Sequence, residues 1–444
     1  MAKKPNIRFN GFTEEWQKQP LGKLGEFKSN GVDKKSNPEE HPVNLLNYLD
    51  VYNKRHVTAD NCNELMQVTA NDRQLKENDV KEGDVFFTPS SETPDDIGRV
   101  KVIEEDLPNT VYSYHLMRFR KSGDTLHKIF PEYALETEEV RKQMFLAAQG
   151  AQRFVISKPA FEQIKMSFPK YAEQQKIGDF FKTLDELIGA KEEELEKLRQ
   201  LKTALLEQMF PSEDNKHEMG GGNSQIISLI HDSELTVSTV PNTPRIRFKG
   251  FTEPWERKEL GDIGYTFTGL SGKTKADFGH GKAKYVTYMN VFSNPIAKLT
   301  GYDIIEIDNR QNQVRYGDVL FTTSSETPEE VGMSSVWLGD EENVYLNSFC
   351  FGYRPNIEVY PYYLAFALRN PRIRKSFYRL AQGISRFNIS KQKAMEIMLD
   401  LPELAEQQKI GDFFRDQDDA INAADQQIRK LKTIKRALMD KMFA

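Results

Sequence analysis

A chain of 444 residues, 38% apolar and 29% charged, has room for two or three domains and enough Phe, Leu and Ile to give each a core. Its net charge of −5 does not mark a nucleic-acid binder, so the local distribution of charge has to decide. No run reaches the roughly 18 apolar residues of a membrane helix, Met1 to Asn10 lacks the apolar core of a secretory signal, and Cys62 and Cys350 lie too far apart in sequence for a disulfide framework. The expectation is a cytoplasmic protein with two free thiols and no membrane partner.

Taken in chain order, the sequence is one unit written twice. The opening Ile7-Arg8-Phe9-Asn10-Gly11-Phe12-Thr13-Glu14-Glu15-Trp16 returns as Ile246-Arg247-Phe248-Lys249-Gly250-Phe251-Thr252-Glu253-Pro254-Trp255. Gly83-Asp84-Val85-Phe86-Phe87-Thr88 runs into Pro89-Ser90-Ser91-Glu92-Thr93-Pro94. It returns as Gly317-Asp318-Val319-Leu320-Phe321-Thr322 and Thr323-Ser324-Ser325-Glu326-Thr327-Pro328. Ala148-Gln149-Gly150, with Arg153-Phe154 and Ile156-Ser157-Lys158, returns as Ala381-Gln382-Gly383, with Arg386-Phe387 and Ile389-Ser390-Lys391. Ala172-Glu173-Gln174-Gln175-Lys176-Ile177-Gly178-Asp179-Phe180-Phe181 returns unchanged from Ala405 to Phe414. Between these blocks Lys28 to Ala70 and Thr268 to Asp303 share little, which suggests a common scaffold carrying two different inserts.

The elements follow. Residues 1–170 form a first α/β domain, with Val85-Phe86-Phe87 as a strand after a Gly-Asp turn and a helix near Pro131 to Ala148 stopped by Gly150 as a C′ glycine. Residues 171–210 form a long helix: Ile177, Leu184, Leu198 and Leu205, with Phe181, Ile188, Leu195 and Met209, make a heptad seam. Residues 211–243, with Gly220-Gly221-Gly222, read as a flexible linker in which apolar Ile226 to Ile230 can dock. Residues 244–402 repeat the domain, with a helix from Pro361 to Ala381 broken by Pro371 before Gly383. Residues 403–444 repeat the helix, with a seam of Ile410, Ala424, Leu431 and Leu438 beside Phe414, Ile421, Ile428 and Met442. Two seams of matching length in one chain favour pairing with each other, giving two α/β domains separated by an antiparallel coiled coil.

Catalytic signatures are missing. Asn37-Pro38, Asn294-Pro295 and Asn370-Pro371 lack the second proline of an amino-methyltransferase motif. Gly269 to Thr274 imitates a phosphate-binding loop, but Phe267 stands where the first glycine belongs. Seven scattered histidines and two cysteines offer no metal-ligand spacing.

What remains is binding. From Val359 to Met395 there is no Asp or Glu, while Arg369, Arg372, Arg374, Lys375, Arg379, Arg386, Lys391 and Lys393 alternate with aromatic residues, a composition suited to a phosphate backbone. Val140 to Phe161 is also free of acids and holds Arg141, Lys142, Arg153 and Lys158. Gly269 to Lys284 adds Lys273, Lys275 and Lys282. The twin loops Ser90, Ser91, Glu92, Thr93 and Ser324, Ser325, Glu326, Thr327 offer hydroxyls for phosphates or base edges and a carboxylate for cytosine N4. Because both copies share them, they are expected to position rather than discriminate. These residues are the candidate DNA contacts; no residue is assigned to catalysis or to a metal.

The ordered duplication of Phe-x-Gly-Phe-Thr-Glu-x-Trp, Gly-Asp-Val-x-Phe-Thr, the Gln-Gly before a strand and Glu-Gln-Gln-Lys-Ile-Gly-Asp-Phe-Phe resembles the specificity subunits of type I restriction–modification systems. The resemblance implies two target-recognition domains, each reading one half of a split double-stranded DNA sequence, on a spacer of two antiparallel helices. It also implies two methyltransferase (modification) subunits and restriction/translocase subunits as partners. S-adenosylmethionine, ATP and Mg would then belong to those partners, with none bound here. A coiled-coil scaffold with two peptide- or protein-binding modules is the alternative.

Overall fold

The computed structural model describes residues 5–211, 234–238 and 243–443. The chain divides into two compact units, Met1–Glu192 with Gln426–Ala444, and Glu193–Asp425. Here they are units one and two.

In unit one a four-stranded antiparallel sheet runs in the order Gly25–Lys28, Met117–Lys121, Val85–Phe87, Val100–Val102. Val85-Phe86-Phe87 is buried on both faces, as an apolar run without alternation requires: Val85 and Phe87 join the core of Phe27, Phe119 and Phe161, while Phe86 joins that of Leu46, Tyr112 and Leu116. A second sheet, Met66–Ala70, His41–Leu46, Leu107–Tyr112, Asp79–Val80, contains one parallel pair, His41–Leu46 with Leu107–Tyr112. The ribbon Gln17–Pro20 with Lys165–Phe168 closes the domain beside the long helix.

Unit two has the same frame. Its sheet is Gly264–Thr268, Cys350–Pro355, Val319–Thr322, Ser334–Val336; its second sheet, of three strands, again holds one parallel pair, Phe278–Val286 with Val344–Leu346; and its ribbon is Glu256–Glu259 with Met398–Leu401. Both strands after the Gly-Asp turn start in the same way. Gly83 and Gly317 have φ of +81° and +83°, and the buried carboxylates of Asp84 and Asp318 accept paired bonds from Arg120 (2.6 and 2.7 Å) and Arg354 (2.8 and 2.7 Å).

The repeated helix opening is a clamp. Arg8 donates twice to Glu173 (2.8 and 2.6 Å), and Arg247 twice to Glu406 (2.8 and 2.7 Å). The second pair is fully buried and takes a further bond from Trp255 Nε1 at 3.0 Å. Gln174 accepts from His127 N (2.9 Å) and Gln407 from Tyr360 N (3.0 Å), so the amide after each glutamate ties its own domain to the helix. A Cβ on Gly411 would lie 2.7 Å from Tyr363 N, so this helix approaches the backbone too closely for any side chain.

The long helices span Tyr171–Gln208 and Leu404–Met442, the first about 57 Å at 1.5 Å per residue. Ile177, Phe181, Ile188, Leu195, Leu205, Ile410, Phe414, Ile428 and Met442 are buried along the seams. Pairing is antiparallel in each unit: Asp185 meets Lys435 and Glu192 meets Lys432 in unit one, and Arg199 meets Asp425 and Lys202 meets Asp418 in unit two.

Three expectations are corrected. The helix expected from Pro131 to Ala148 is two, Phe130–Ala134 and Glu138–Ala147, and Ala148 is already extended. Gly150 and Gly383 are therefore not helix caps; they sit in tight hairpins with φ of +141° and +146°. Part of the expected linker is ordered, since Leu235–Val237 pairs with Ile246–Phe248. The glycine run and Ile226 to Ile230 lie outside the described residues. Pro371 does interrupt the second segment, beginning a new helix whose first amides are capped by Asn370.

Candidate nucleic-acid interface

The two motifs that are far apart in sequence, the Ser-Ser-Glu-Thr-Pro loop and the Gln-Gly hairpin, are neighbours in both units. Ser90–Ser91 pairs with Phe154–Val155, and Ser324–Ser325 with Phe387–Asn388. Each hairpin closes on itself by reciprocal backbone bonds, Gln149 with Val155 (3.0 and 2.9 Å) and Gln382 with Asn388 (3.0 and 2.8 Å). A Cβ on Gly150 or Gly383 would stand 2.0 Å from the carbonyl oxygen of Arg153 or Arg386, so only glycine closes this turn. The result is a small ribbon with an exposed arginine at its tip, Arg153 or Arg386.

A third element completes each constellation. Tyr48, on helix Tyr48–Tyr52, donates to the Ser90 carbonyl at 2.9 Å; Tyr288, on helix Tyr288–Ser293, donates to the Ser324 carbonyl at 2.6 Å. Each stacks on the ring one turn along, Tyr52 or Phe292, at 17°. These helices lie inside the segments read as divergent. Within them Leu46-Asn47-Tyr48 and Val286-Thr287-Tyr288 occupy equivalent places, and Asn47 and Thr287 both cap the helix. The repeat is hidden because, from Leu46 to Tyr52 and from Val286 to Phe292, only the tyrosine and Val51 or Val291 are identical.

An aromatic ring also stands by the tip arginine of unit two. Arg386 lies 5.6 Å from the Phe349 ring centre. In unit one burial, and then the neighbouring cations Lys34 and Arg153, hold the His115 imidazole below its usual pKa. His115 and Phe349 follow Ser113-Tyr114 and Asn347-Ser348 in equivalent loops. Sequence reading missed Tyr48, Tyr288, His115 and Phe349. His115 reads as one of seven scattered histidines, and nothing in the chain order links Phe349 to Arg386.

The remaining candidates divide by what their polar groups already do. Arg141 donates to the carbonyls of Gly98 (2.9 Å) and Asp95 (2.8 Å), and Arg374 to those of Gly332 (2.7 Å), Glu329 (2.8 Å) and Val331 (2.5 Å). Both arginines brace the chain following the serine loop from beneath. Burial lowers the Arg374 pKa to about 10. Arg369 bonds the carbonyls of Ser334, Val291, Phe292 and Asn294, and Arg372 pairs with Asp400. Three cations of the acid-free stretch are thus already engaged, two by carbonyls and one by a carboxylate just beyond its end. Lys273 pairs with Asp308 at 2.9 Å, so the lysine of the phosphate-loop imitation is engaged. Lys158 is exposed beside Glu162. Lys142, Lys275, Lys282 and Arg379 are exposed, and Lys391 is half-buried.

The second serine of each loop is engaged as well, and Ser90 Oγ accepts from Arg153 at 3.4 Å. Ser91 Oγ bonds the Thr93 backbone, Ser325 Oγ donates to Glu330 at 3.1 Å, and Ser324 and Ser325 are buried. Glu92, Thr93, Glu326 and Thr327 are exposed at the bend. Among the described residues no cluster of His, Cys, Asp and Glu could hold a metal ion, and no helix is long and apolar enough to cross a membrane.

A duplicated α/β domain, each copy carried on a long helix and presenting the same arginine ribbon, defines a tandem recognition architecture. The chain belongs to the family of the type I restriction modification DNA specificity domain, whose family model matches residues 13–200 and 252–433. It is 27% identical over 199 residues to a putative type I restriction enzyme MjaX specificity subunit of Methanocaldococcus jannaschii, a match covering 43% of this chain and 46% of that relative, so it spans about half the relative's length. The fold is similar to that of the crystal structure of a type I restriction–modification system S subunit from M. genitalium, with a TM-score of 0.55 and 14% identity over 100% of this chain and 99% of that one. A second structure, titled for complex assembly and conformational transition of the type I R-M system, has a TM-score of 0.54 and 14% identity, covering 96% of this chain and 97% of that one.

Proposed function

We propose that this chain is the DNA-sequence-specificity subunit of a type I restriction–modification complex. In this reading it binds a bipartite double-stranded target, one half-site per unit, and directs two methyltransferase subunits and the restriction/translocase subunits to it. Chemistry would be left to those partners, which would hold S-adenosylmethionine, ATP and Mg, while the paired helices serve as spacer and docking frame.

The observation that supports this best is the duplicated constellation of Arg153, His115 and Tyr48 in unit one and Arg386, Phe349 and Tyr288 in unit two. A guanidinium at the tip of a rigid ribbon, with the exposed Thr93 or Thr327 in the bend paired to it, suits a phosphate backbone and the base edges beside it. The inserts around each constellation differ in sequence, so two such sites would read different bases. A protein- or peptide-binding scaffold would have no reason to duplicate an arginine at the tip of each ribbon.

Exchanging residues 28–70 for the matching segment of another family member tests this division. Methylation of a genome by the complex carrying the exchanged chain should change in one half of its target and keep the other half and the gap. A change in both halves, or in neither, would overturn the reading by units.

A further inference from the structure

The two ribbons are built alike and differ where they end. Glutamine and glycine on one side and arginine and phenylalanine on the other are common to both, as are the closing bonds and the positive φ of the glycine. Between them unit one carries Ala151-Gln152 and unit two Ile384-Ser385. Ile384 is 98% exposed, the most exposed large apolar side chain among the described residues. Its ribbon is firmly held: Ile389 beside it is buried and donates its amide to Thr323 O at 3.0 Å, and Phe387 is paired with Ser325. A fully hydrated isoleucine at a fixed, cationic tip gains nothing for the isolated fold. It gains from an apolar group on an anionic partner.

Resting on the reading that the chain binds duplex DNA, we propose that the two ribbon tips read bases, and that Ile384 makes an apolar contact with a thymine methyl in the major groove. A two-stranded ribbon fits the major groove, about 12 Å wide, and the thymine 5-methyl is the one apolar group displayed there. Arg386, two residues on, would supply the adjoining phosphate or guanine contact. In unit one Ala151 holds the place of Ile384 and Gln152 that of Ser385, and glutamine suits the N6 and N7 edge of adenine. The inserts therefore share the reading with a two-residue difference at the tip of a repeated ribbon whose one other change is Val155 against Asn388.

The test uses the full chain with the subunits that purify with it. A duplex chosen by selection from a randomised library is remade with each thymine replaced in turn by deoxyuridine, which removes only the methyl. For the unaltered protein, one replacement should weaken binding about fourfold, the value of one buried methyl-sized group. That position should lie in the half-site that persists when residues 28–70 are exchanged. Ile384→Ala should bind thymine and deoxyuridine equally there, keep its other preferences, and unfold at the unaltered temperature because the side chain packs on nothing. The proposal is overturned if Ile384→Ala retains the full thymine preference, or if no thymine in that half-site responds. It is also overturned if the variant loses a co-purifying subunit with DNA preference unchanged, which would make the tip a protein contact. Failure of the unaltered protein to select any sequence would instead sink the DNA reading itself.

Discussion

Arg374, which builds the candidate site, differs in role from Arg386, the cation proposed to touch DNA. Replacing it with Ala removes bonds to the carbonyls of Gly332, Glu329 and Val331. Glu329 is exposed and water can take its place, but Gly332 and Val331 are buried. Each buried carbonyl left without a donor costs about 1–3 kcal/mol. Relief of the buried guanidinium's own desolvation offsets part of this, which leaves about 3 kcal/mol. For a unit of this size each kcal/mol lowers Tm by about 2–4 °C, so the transition of unit two should fall by roughly 6–12 °C. Thermal unfolding followed beside a salt titration of duplex binding is the assay. Arg374→Ala should lower Tm and leave the slope of log K against log salt unchanged, whereas Arg386→Ala should leave Tm unchanged and lower the slope by about 0.9. A lower slope with an unchanged Tm for Arg374→Ala would refute the bracing role.

The remaining predictions concern stability and the ribbon. Arg247→Ala strands the buried carboxylate of Glu406, so it should cost unit two about 3–5 kcal/mol in denaturant unfolding; Arg8→Ala, at a more exposed copy of the pair, should cost less. Burial holds the His127 imidazole below its usual pKa. The unfolded chain therefore takes up a proton first as pH falls below about 6.5, and unit one should lose stability there, a loss that His127→Phe should reduce in melts compared at pH 7.5 and 5.5. Gly383→Ala should distort the ribbon through its positive φ and the clash with Arg386 O, lowering sequence discrimination more than Tm.

Much of this architecture was legible in the sequence because duplication supplies its own control. A heptad seam seen once can be an amphipathic helix on its own domain; seen twice at one length it points to a pair. The repeated Glu-Gln-Gln opening marked where each helix begins, although its role as a clamp for Arg8 and Arg247 could not be read, since the partners are more than 150 residues apart. The candidate site was less legible. Counting cations could not distinguish Arg374, which faces carbonyls, from Arg386, which faces solvent, because carbonyl groups leave no trace in composition. Gly150 and Gly383 were assigned to helix ends because glycine after an apolar helical run is common there, yet the chain had already turned into a ribbon at Ala148 and Ala381. Tyr48 and Tyr288 were hidden for a different reason. Strand, cap and helix can be kept with Leu or Val, Asn or Thr and Asp or Asn, so the element repeats while the letters do not.

In the proposed function the two units read two separate pieces of one duplex. Selection of bound duplexes from a fully randomised library, using the full chain with its co-purifying subunits, tests it most directly. Two short blocks of fixed sequence should emerge, separated by a gap of constant length and free composition, with Arg153→Ala weakening enrichment of one block and Arg386→Ala that of the other. A single continuous block, or two blocks that both weaken with either variant alone, would contradict it.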